Sequence, residues 1–364
     1  MSDSITRRML AAYDQQAETV EFLSDFFRSP PQNFHTSEEV EFDVVRSDED
    51  IAIVVQDLSA GYRENSADLY TNKSIKPPIF KERITLNSFD LIKRMSGQNP
   101  FESPDFRANL ITRMFDGMVK VERKIRRSLE LQSSQVLQTG TVNLADASGN
   151  VLYNVNYQPK ATHFPTAGVS WATATGAQKL SDMDSLSEVI RNDGLSNPDQ
   201  MIMGSATFEN IMSDNDVLKR FDIRQIDLGT ISSMQMRSNG GIFRGIIELG
   251  NYKYDVWTYA GRYKDPQTGT KIQFVDPGNI IMRSSSARMD ATFGAIPNIG
   301  NLMGASVRVL PELPGRFTNA AGGMDLFTNV WISNDGEQIF GGVGARPLMI
   351  PTAIDTYGCL TTGL

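Results

Sequence analysis

The chain has 364 residues, with 43 acidic against 35 basic side chains, a formal net charge of −8 and a pI near 5.0. That length supplies one large core or two to three modest ones without metal or disulfides. The acidic balance speaks against a dedicated nucleic-acid binder, whose phosphate contacts need clustered Lys and Arg, while leaving room for a surface that faces nucleic acid with little affinity.

The single cysteine, Cys359, excludes an intrachain disulfide and suits a reducing compartment. Its neighbours YGCLTTG offer no base, so it reads as a small buried or terminal thiol. The opening MSDSITRRMLAAYDQQAETVEF has no apolar signal region, and no stretch approaches 18 apolar residues. The expectation is a chain neither exported by a classical signal nor crossing a membrane.

Residues 4–27 predict a helix with Phe22, Leu23, Phe26 and Phe27 on a drifting apolar face, ended by Pro30-Pro31. EEVEFDVV (38–45) and IAIVVQDL (51–58) predict two strands around the acidic turn RSDED, so the N-terminus is an arm that must dock on something. From Ser59 to Pro100 the chain is polar. Within it Ile79, Lys81, Arg83, Thr85 and Asn87 alternate against Phe80, Glu82, Ile84 and Leu86. A ribbon with charges on both faces makes no core of its own; the pattern suits a surface hairpin as well as a projection packed on another subunit.

Residues 103–138 carry the strongest helical pattern. Ser103 caps, Pro104 takes the first position, and Phe106, Leu110, Met114, Met118, Val121, Ile125, Leu129 and Val136 form a stripe. Such a helix runs about 50 Å. Gly117 weakens its middle and Gly140 offers a stop. On its outer face, KVERKIRR pairs Glu122 with Arg126 at i,i+4. This basic run is either a solvated face or a contact with a polyanion or acidic neighbour.

TVNLADASGNVLYNVNYQ (141–158) predicts a hairpin turning at ASGN. A short helix beginning near Ser181 or Asp182 turns Leu186, Val189 and Ile190 inward, with Asp182, Asp184 and Glu188 near its positive end. A buried strand over Met201–Met203, a turn at Gly204, a helix with Phe208, Ile211 and Met212, and a further turn at Val217, Leu218 and Phe221 make this region α+β. Tyr252–Tyr259 predicts a strand with Tyr252 and Tyr254 on one face and Trp257 and Tyr259 on the other, so both faces expect partners. DPQTG (265–269) is a turn from which KIQ pairs back before a strand at Ile280–Met282. Short strands are expected in SVRVLPEL, LFTNVWIS and PLMIPTAI.

No chemistry emerges. His35 and His163 stand far apart outside any metal-ligand spacing, and the glycines of SNGGIFRGIIELG and FGGVGARP read as tight turns rather than phosphate loops. There is no G-x-S-x-G and no carboxylate pair placed against a base, so no catalytic, cofactor or metal residue is assigned and the chain is read as a non-enzyme. Extended arms, a projecting ribbon and an overlong helix suit a subunit that covers its neighbours.

Several stretches, in order, resemble the lambda-type major head protein family of tailed bacteriophages. FLSDFFRSPPQNFHTSEEVEFD supplies Phe26, Phe27 and Arg28 before a strand that begins after Thr36. Ser59–Leu86 is similar to the family's extended loop, with Lys76 and Pro77 opening its returning strand. SPDFR resembles the start of its spine helix, and Phe274–Ile296 its C-terminal stretch, with Asn279, Ala287, Arg288, Phe293 and Gly294 as matching positions. GRFTNAAGGMDLFTNVWISNDGEQIFGGVG departs from the pattern.

The resemblance implies the α+β Hong Kong 97-type fold of tailed-phage capsid proteins. On it the N-terminal arm is 1–56, the extended loop 57–100, the peripheral domain with its spine helix 101–158 plus 297–364, and the axial domain 159–296. The function implied is a subunit that self-assembles into the icosahedral head shell around double-stranded DNA; the alternative is another phage structural component, such as a tail-tube or decoration subunit. Implied partners are further copies in hexamers and pentamers, a separate scaffolding protein, since the arm begins almost at Met1, a portal protein, optionally a decoration protein, and packaged DNA by non-specific contact. The implied location is the virion capsid, assembled in the bacterial host cytoplasm. Lys120, Arg123, Lys124 and Arg127 then either meet the DNA or serve as subunit contacts.

Overall fold

The structure, a computed structural model, describes residues 21–35, 39–45, 70–87, 89–90, 106–146, 148–222, 224–227, 230–233, 237–238, 240–296, 325–333, 335 and 337–364. The arm enters as two short 3-10 turns, Ser24–Phe26 and Pro31–Asn33. The helix expected over 4–27 is therefore not continued through its described part. The amides of Leu23 and Ser24, which an α-helix would bond internally, go instead to the carboxylate of Glu130.

Strand β1 (Val40–Val45) pairs antiparallel with β2 (Tyr70–Ile75). The expected strand 51–58 and its acidic turn lie outside the described residues. Strand β3 (Phe80–Asn87) carries the alternation read from Ile79 to Asn87. Among the described residues it forms no hairpin with its chain neighbours and pairs instead with a strand far along the chain.

Helix α1 (Phe106–Thr139) has the expected length and stops at Gly140, whose φ of +64° and N–H bond to Val136 O close the last turn. Ser103 and Pro104 lie outside the described residues. Gly117 has a packing reason: a Cβ there would sit 2.7 Å from Ile84 Cδ1, so the bare backbone lets β3 approach the helix. The hairpin of β4 (Thr141–Ala145) and β5 (Val151–Asn156) turns on Asp146, whose Oδ1 accepts the amides of Ser148 and Asn150 at 2.8 and 2.9 Å.

Helix α2 (Gly176–Gly194) begins well before the expected Ser181, because Thr175 and Gln178 form a capping box. Asp182, Asp184 and Glu188 therefore lie inside the helix rather than at its start. Asp182 accepts the Trp171 indole N–H at 2.9 Å, and Asp184 lies 3.8 Å from Arg191. Next come β6 (Gln200–Met203), α3 (Ser205–Met212), α4 (Asn215–Leu218), β7 (Phe221–Asp222), β8 (Arg224–Asp227), β9 (Thr230–Ser233) and β10 (Arg237–Ser238).

The chain continues through β11 (Gly241–Leu249), β12 (Tyr252–Tyr259), β13 (Arg262–Lys264), β14 (Lys271–Gln273), β15 (Asn279–Arg283), β16 (Asp290–Phe293), β17 (Phe327–Ile332), β18 (Gln338–Ala345), β19 (Pro347–Ile350) and β20 (Tyr357–Thr361). The expected strand in SVRVLPEL lies outside the described residues.

The main sheet runs β10-β11-β12-β6-β15-β20, with β7 also on β11; β12 and β6 are parallel. Central β6 has Met201, Ile202 and Met203 fully buried, which only a strand covered on both faces tolerates. One face packs Met201, Met203, Tyr254, Val256, Ile280 and Met282 against Trp171 and against Met183, Leu186 and Ile190 of α2. The other puts Ile202, Tyr259, Ile281 and Cys359 into the core that holds the buried stripe of α1 and the arm. The expectation that β12 needs two partners holds.

Its pairing differs from expectation. KIQ returns onto β13, not β12, because Arg262–Lys264 intervenes after Gly261 and closes a separate hairpin. A second sheet, β17-β18-β3, lies against α1. Its middle strand is the glycine-rich FGGVGARP segment, read from sequence as turns. Gly341, Gly342 and Gly344 are extended strand residues, and a Cβ on Gly341 would collide with Met114 Sδ of α1. Closeness of sheet to helix, not turning, requires glycine there. In SNGGIFRGIIELG the turn reading holds for Gly240 and Gly250, both at positive φ, while Gly245 marks a bulge within β11.

Candidate functional site

The arm's seat brings together the sequence positions that drew attention for separate reasons. At its centre is Glu130 on the buried side of α1, with no exposed surface. A carboxylate in an apolar core is costly unless its oxygens are met by donors. Three meet it: Leu23 N–H at 2.8 Å, Ser24 N–H at 2.9 Å and the Tyr259 hydroxyl at 2.7 Å. Burial raises the Glu130 carboxyl above its ordinary value, and the three hydrogen bonds only partly offset it. One side chain thus ties the arm, the long helix and the main sheet.

Aromatic contacts extend the seat. Phe22 packs on Tyr259 and Trp257 with ring centroids 5.2 and 5.6 Å apart, and its ring occupies the space a Cβ on Gly241 would need. Phe26 lies over the Arg283 guanidinium at 4.1 Å. Burial pushes that guanidinium down to about 10, and Gln200 Oε1 accepts from its Nη1 at 2.9 Å. Phe27 is buried.

Further on, the arm runs beside β16. Arg28 N–H donates to Met289 O, Ala291 N–H donates to Arg28 O, and His35 N–H donates to Phe293 O, all within 2.8–2.9 Å. Phe34 stacks on Phe293 at 5.1 Å. Gly294 lies where a Cβ would come within 3.2 Å of Pro77 and 3.1 Å of Arg346. Arg346 donates from Nε to Pro77 O and from Nη1 to Ala295 O. Of the positions that carry the family resemblance, Arg28 and Phe293 thus lie along the seam between the arm and β16, Pro77 and Gly294 approach each other beside Arg346, Phe26 covers Arg283 and Phe27 is buried. Ala287 is buried, and Arg288 pairs with Asp290 at 2.8 Å. Lys76 pairs with Glu39 at 3.5 Å, at the base of the β1–β2 ribbon. Asn279 stands apart, donating to Gln138 Oε1 at the end of α1. Thr36 lies outside the described residues.

Part of the basic run of α1 is engaged within the chain. Lys124 reaches Glu82 of β3 at 2.7 Å, and Arg127 Nε donates to Arg123 O. The carboxylate at Arg126 is Asp325, 2.6 Å away, whereas the expected i,i+4 partner Glu122 is buried. Burial raises the Cys359 thiol, which is enclosed as read from its neighbours. His163 is buried with Tyr357 O at Nδ1 and Asp193 at Nε2, at 2.8 and 3.1 Å, a structural tie. Among the described residues no group of three or more His, Cys, Asp or Glu could hold a metal ion, and no helix is long and apolar enough to cross a membrane.

Glu130 escaped the sequence reading. Its signal is the run LELQSS in α1, where Glu130, Gln132, Ser133 and Ser134 follow Leu129 on turns that still have to bury Val136 and Leu137.

An arm seated on a long helix and on a two-faced sheet defines an α+β fold related to that of Hong Kong 97-type capsid proteins. A prophage protein of E. coli CFT073 designated a capsid protein superposes with a TM-score of 0.57 at 17% identity, over 81% of this chain and 79% of its own. A chain from Gordonia phage Cozz superposes with a TM-score of 0.50 at 9% identity, over 98% and 91%. No curated protein matches the sequence. The model of the family described as phage major capsid protein E matches residues 6–358, and the chain belongs to that family.

Proposed function

We propose that this chain is a lambda-type head protein that self-assembles into the icosahedral shell enclosing the double-stranded DNA of a tailed phage. The family match across residues 6–358 carries this reading. The 34-residue α1 supports it over a tail-tube or decoration subunit, for which a compact β-rich fold without such a helix is expected.

In this reading the arm is 1–56, the extended loop 57–100, the peripheral domain 101–158 with 297–364, and the axial domain 159–296. The last strand, β20, ties the returning peripheral segment into the axial sheet through β15. Copies group into hexamers and pentamers; a scaffolding protein and a portal act in assembly, a decoration protein is an optional addition, and DNA is met by non-specific contact. The shell forms in the host cytoplasm and performs no bond chemistry. Electron microscopy of the purified chain, with and without a scaffold, should show rings or closed shells. A chain that stays strictly monomeric under all assembly conditions would sink the reading.

A further inference from the structure

Three exposed cations without an ion pair among the described residues lie together on one hairpin. The β13–β14 hairpin pairs Arg262 with Gln273, Tyr263 with Ile272 and Lys264 with Lys271. Strand alternation places Arg262, Lys264 and Lys271 on one face, with the two lysines directly opposite each other. Like charges in that position destabilise a ribbon. All three side chains are exposed, and none takes part in an ion pair among the described residues. The adjacent acid, Asp265, is engaged by the turn, accepting from the amides of Gln267 and Thr268 and from the Thr268 hydroxyl.

The hairpin does not stand alone. Its turn residue Gln267 lies so close to Gly149, in the β4–β5 turn, that a Cβ on Gly149 would come within 2.6 Å of Gln267 Nε2. Beside that contact β5 exposes Val151 and Leu152, 60% and 74% accessible, while Ile272 of β14 lies with Tyr263 on the face of the ribbon away from the cations. The abutting β4–β5 turn therefore sets the exposed Val151 and Leu152 beside a ribbon that carries three unneutralised cations, on a chain with an acidic excess. Exposed aliphatics contribute nothing to a phosphate backbone, but they suit a protein surface that also brings carboxylates.

We propose that the abutting hairpins form a contact surface for a second copy of this chain. The partner's carboxylates neutralise Arg262, Lys264 and Lys271, while its apolar side chains cover Val151 and Leu152. This rests on the self-assembly reading above. The repulsion built into the Lys264–Lys271 pair is then relieved on assembly, and the free subunit carries it.

The test compares the full-length chain with the charge-reversed K264E/K271E, the neutral K264Q/K271Q and the polar L152S, by sedimentation and negative-stain microscopy. Folding of each free subunit is checked by its melting temperature. Charge reversal should lower the assembled fraction about tenfold or more, as expected when a complementary contact becomes repulsive. The neutral variant and L152S should show smaller losses with melting unchanged or raised. Zero-length carbodiimide coupling of assembled parent should join Lys264 or Lys271 to a carboxylate of another copy. Normal assembly of all three variants overturns the proposal while leaving shell formation intact. Normal empty shells that fail only to retain DNA overturn it in favour of a polyanion. A parent that never multimerises overturns the shell reading, and this contact with it.

Discussion

Glu130 and the Lys264–Lys271 pair solve the problem of a charged side chain in opposite ways. The carboxylate is fully enclosed and takes three donors from two distant parts of the chain. The lysines face each other on an exposed ribbon, with no acid paired to them among the described residues. A buried charge left without partners costs several kcal/mol, whereas an exposed like-charge pair costs only a fraction of one. Enclosure therefore marks where the subunit is held together, and exposure marks where it is left to be completed.

The largest effect is expected from breaking the enclosed side. Glu130→Ala leaves two arm amides and the Tyr259 hydroxyl without their acceptor, at about 3 kcal/mol or more. Loss of stability should be accompanied by faster proteolytic cutting near residues 21–28, since the arm loses its only described link to α1 through a side-chain oxygen at Leu23 and Ser24. An arm as protected as in the parent would show that the aromatic contacts of Phe22 and Phe26 suffice.

Next in size is Gly341→Ala, also on the enclosed side. Its Cβ would run into Met114 Sδ, so sheet and helix must separate or Met114 must find another rotamer; overpacking of this kind costs about 1–3 kcal/mol. Chemical denaturation would register it as a lower midpoint with unchanged slope.

Protonation sharpens the comparison further. The Glu130 carboxyl is raised above its ordinary 4.5 in the folded state, so the folded chain binds its proton more tightly than the unfolded chain. This contribution to stability is fully present below about pH 4.5 and is lost as pH rises through the raised value, by up to about 1.4 kcal/mol per pH unit inside that window. Glu130→Gln cannot titrate. Melting curves across the window should show a flatter pH dependence for it than for the parent, and equal slopes would assign the titration elsewhere.

The sequence made elements legible where the pattern was local and regular. Tyr252–Tyr259 alternates aromatics on both faces, and its two cores follow from that. The stripe from Met114 to Val136 and the stop at Gly140 are likewise local. Partnership was not legible. β12 takes β11 and the distant β6, and β3 takes β18 from the far end of the chain. In β18, glycines remove the alternation by which a strand is recognised, so a strand read as turns. Glu130 stayed hidden because a lone acid in a helix reads as solvent-facing, and the arm amides that justify its burial lie 107 and 106 residues away.

The smallest expected effect tests the exposed side in the free subunit. Lys264→Thr removes one member of the facing lysine pair and substitutes a residue that favours strands, so the unassembled subunit should gain about 0.2–1 kcal/mol. The gain should shrink as salt is added, because screening already weakens repulsion between exposed charges. Its sign is the informative part: a gain shows that Lys264 lowers the stability of the free subunit, as a residue placed for a contact outside it would. Should Lys264→Thr destabilise the free subunit at low and high salt alike, Lys264 serves the hairpin itself, and the contrast with Glu130 would dissolve into two ways of holding one fold together.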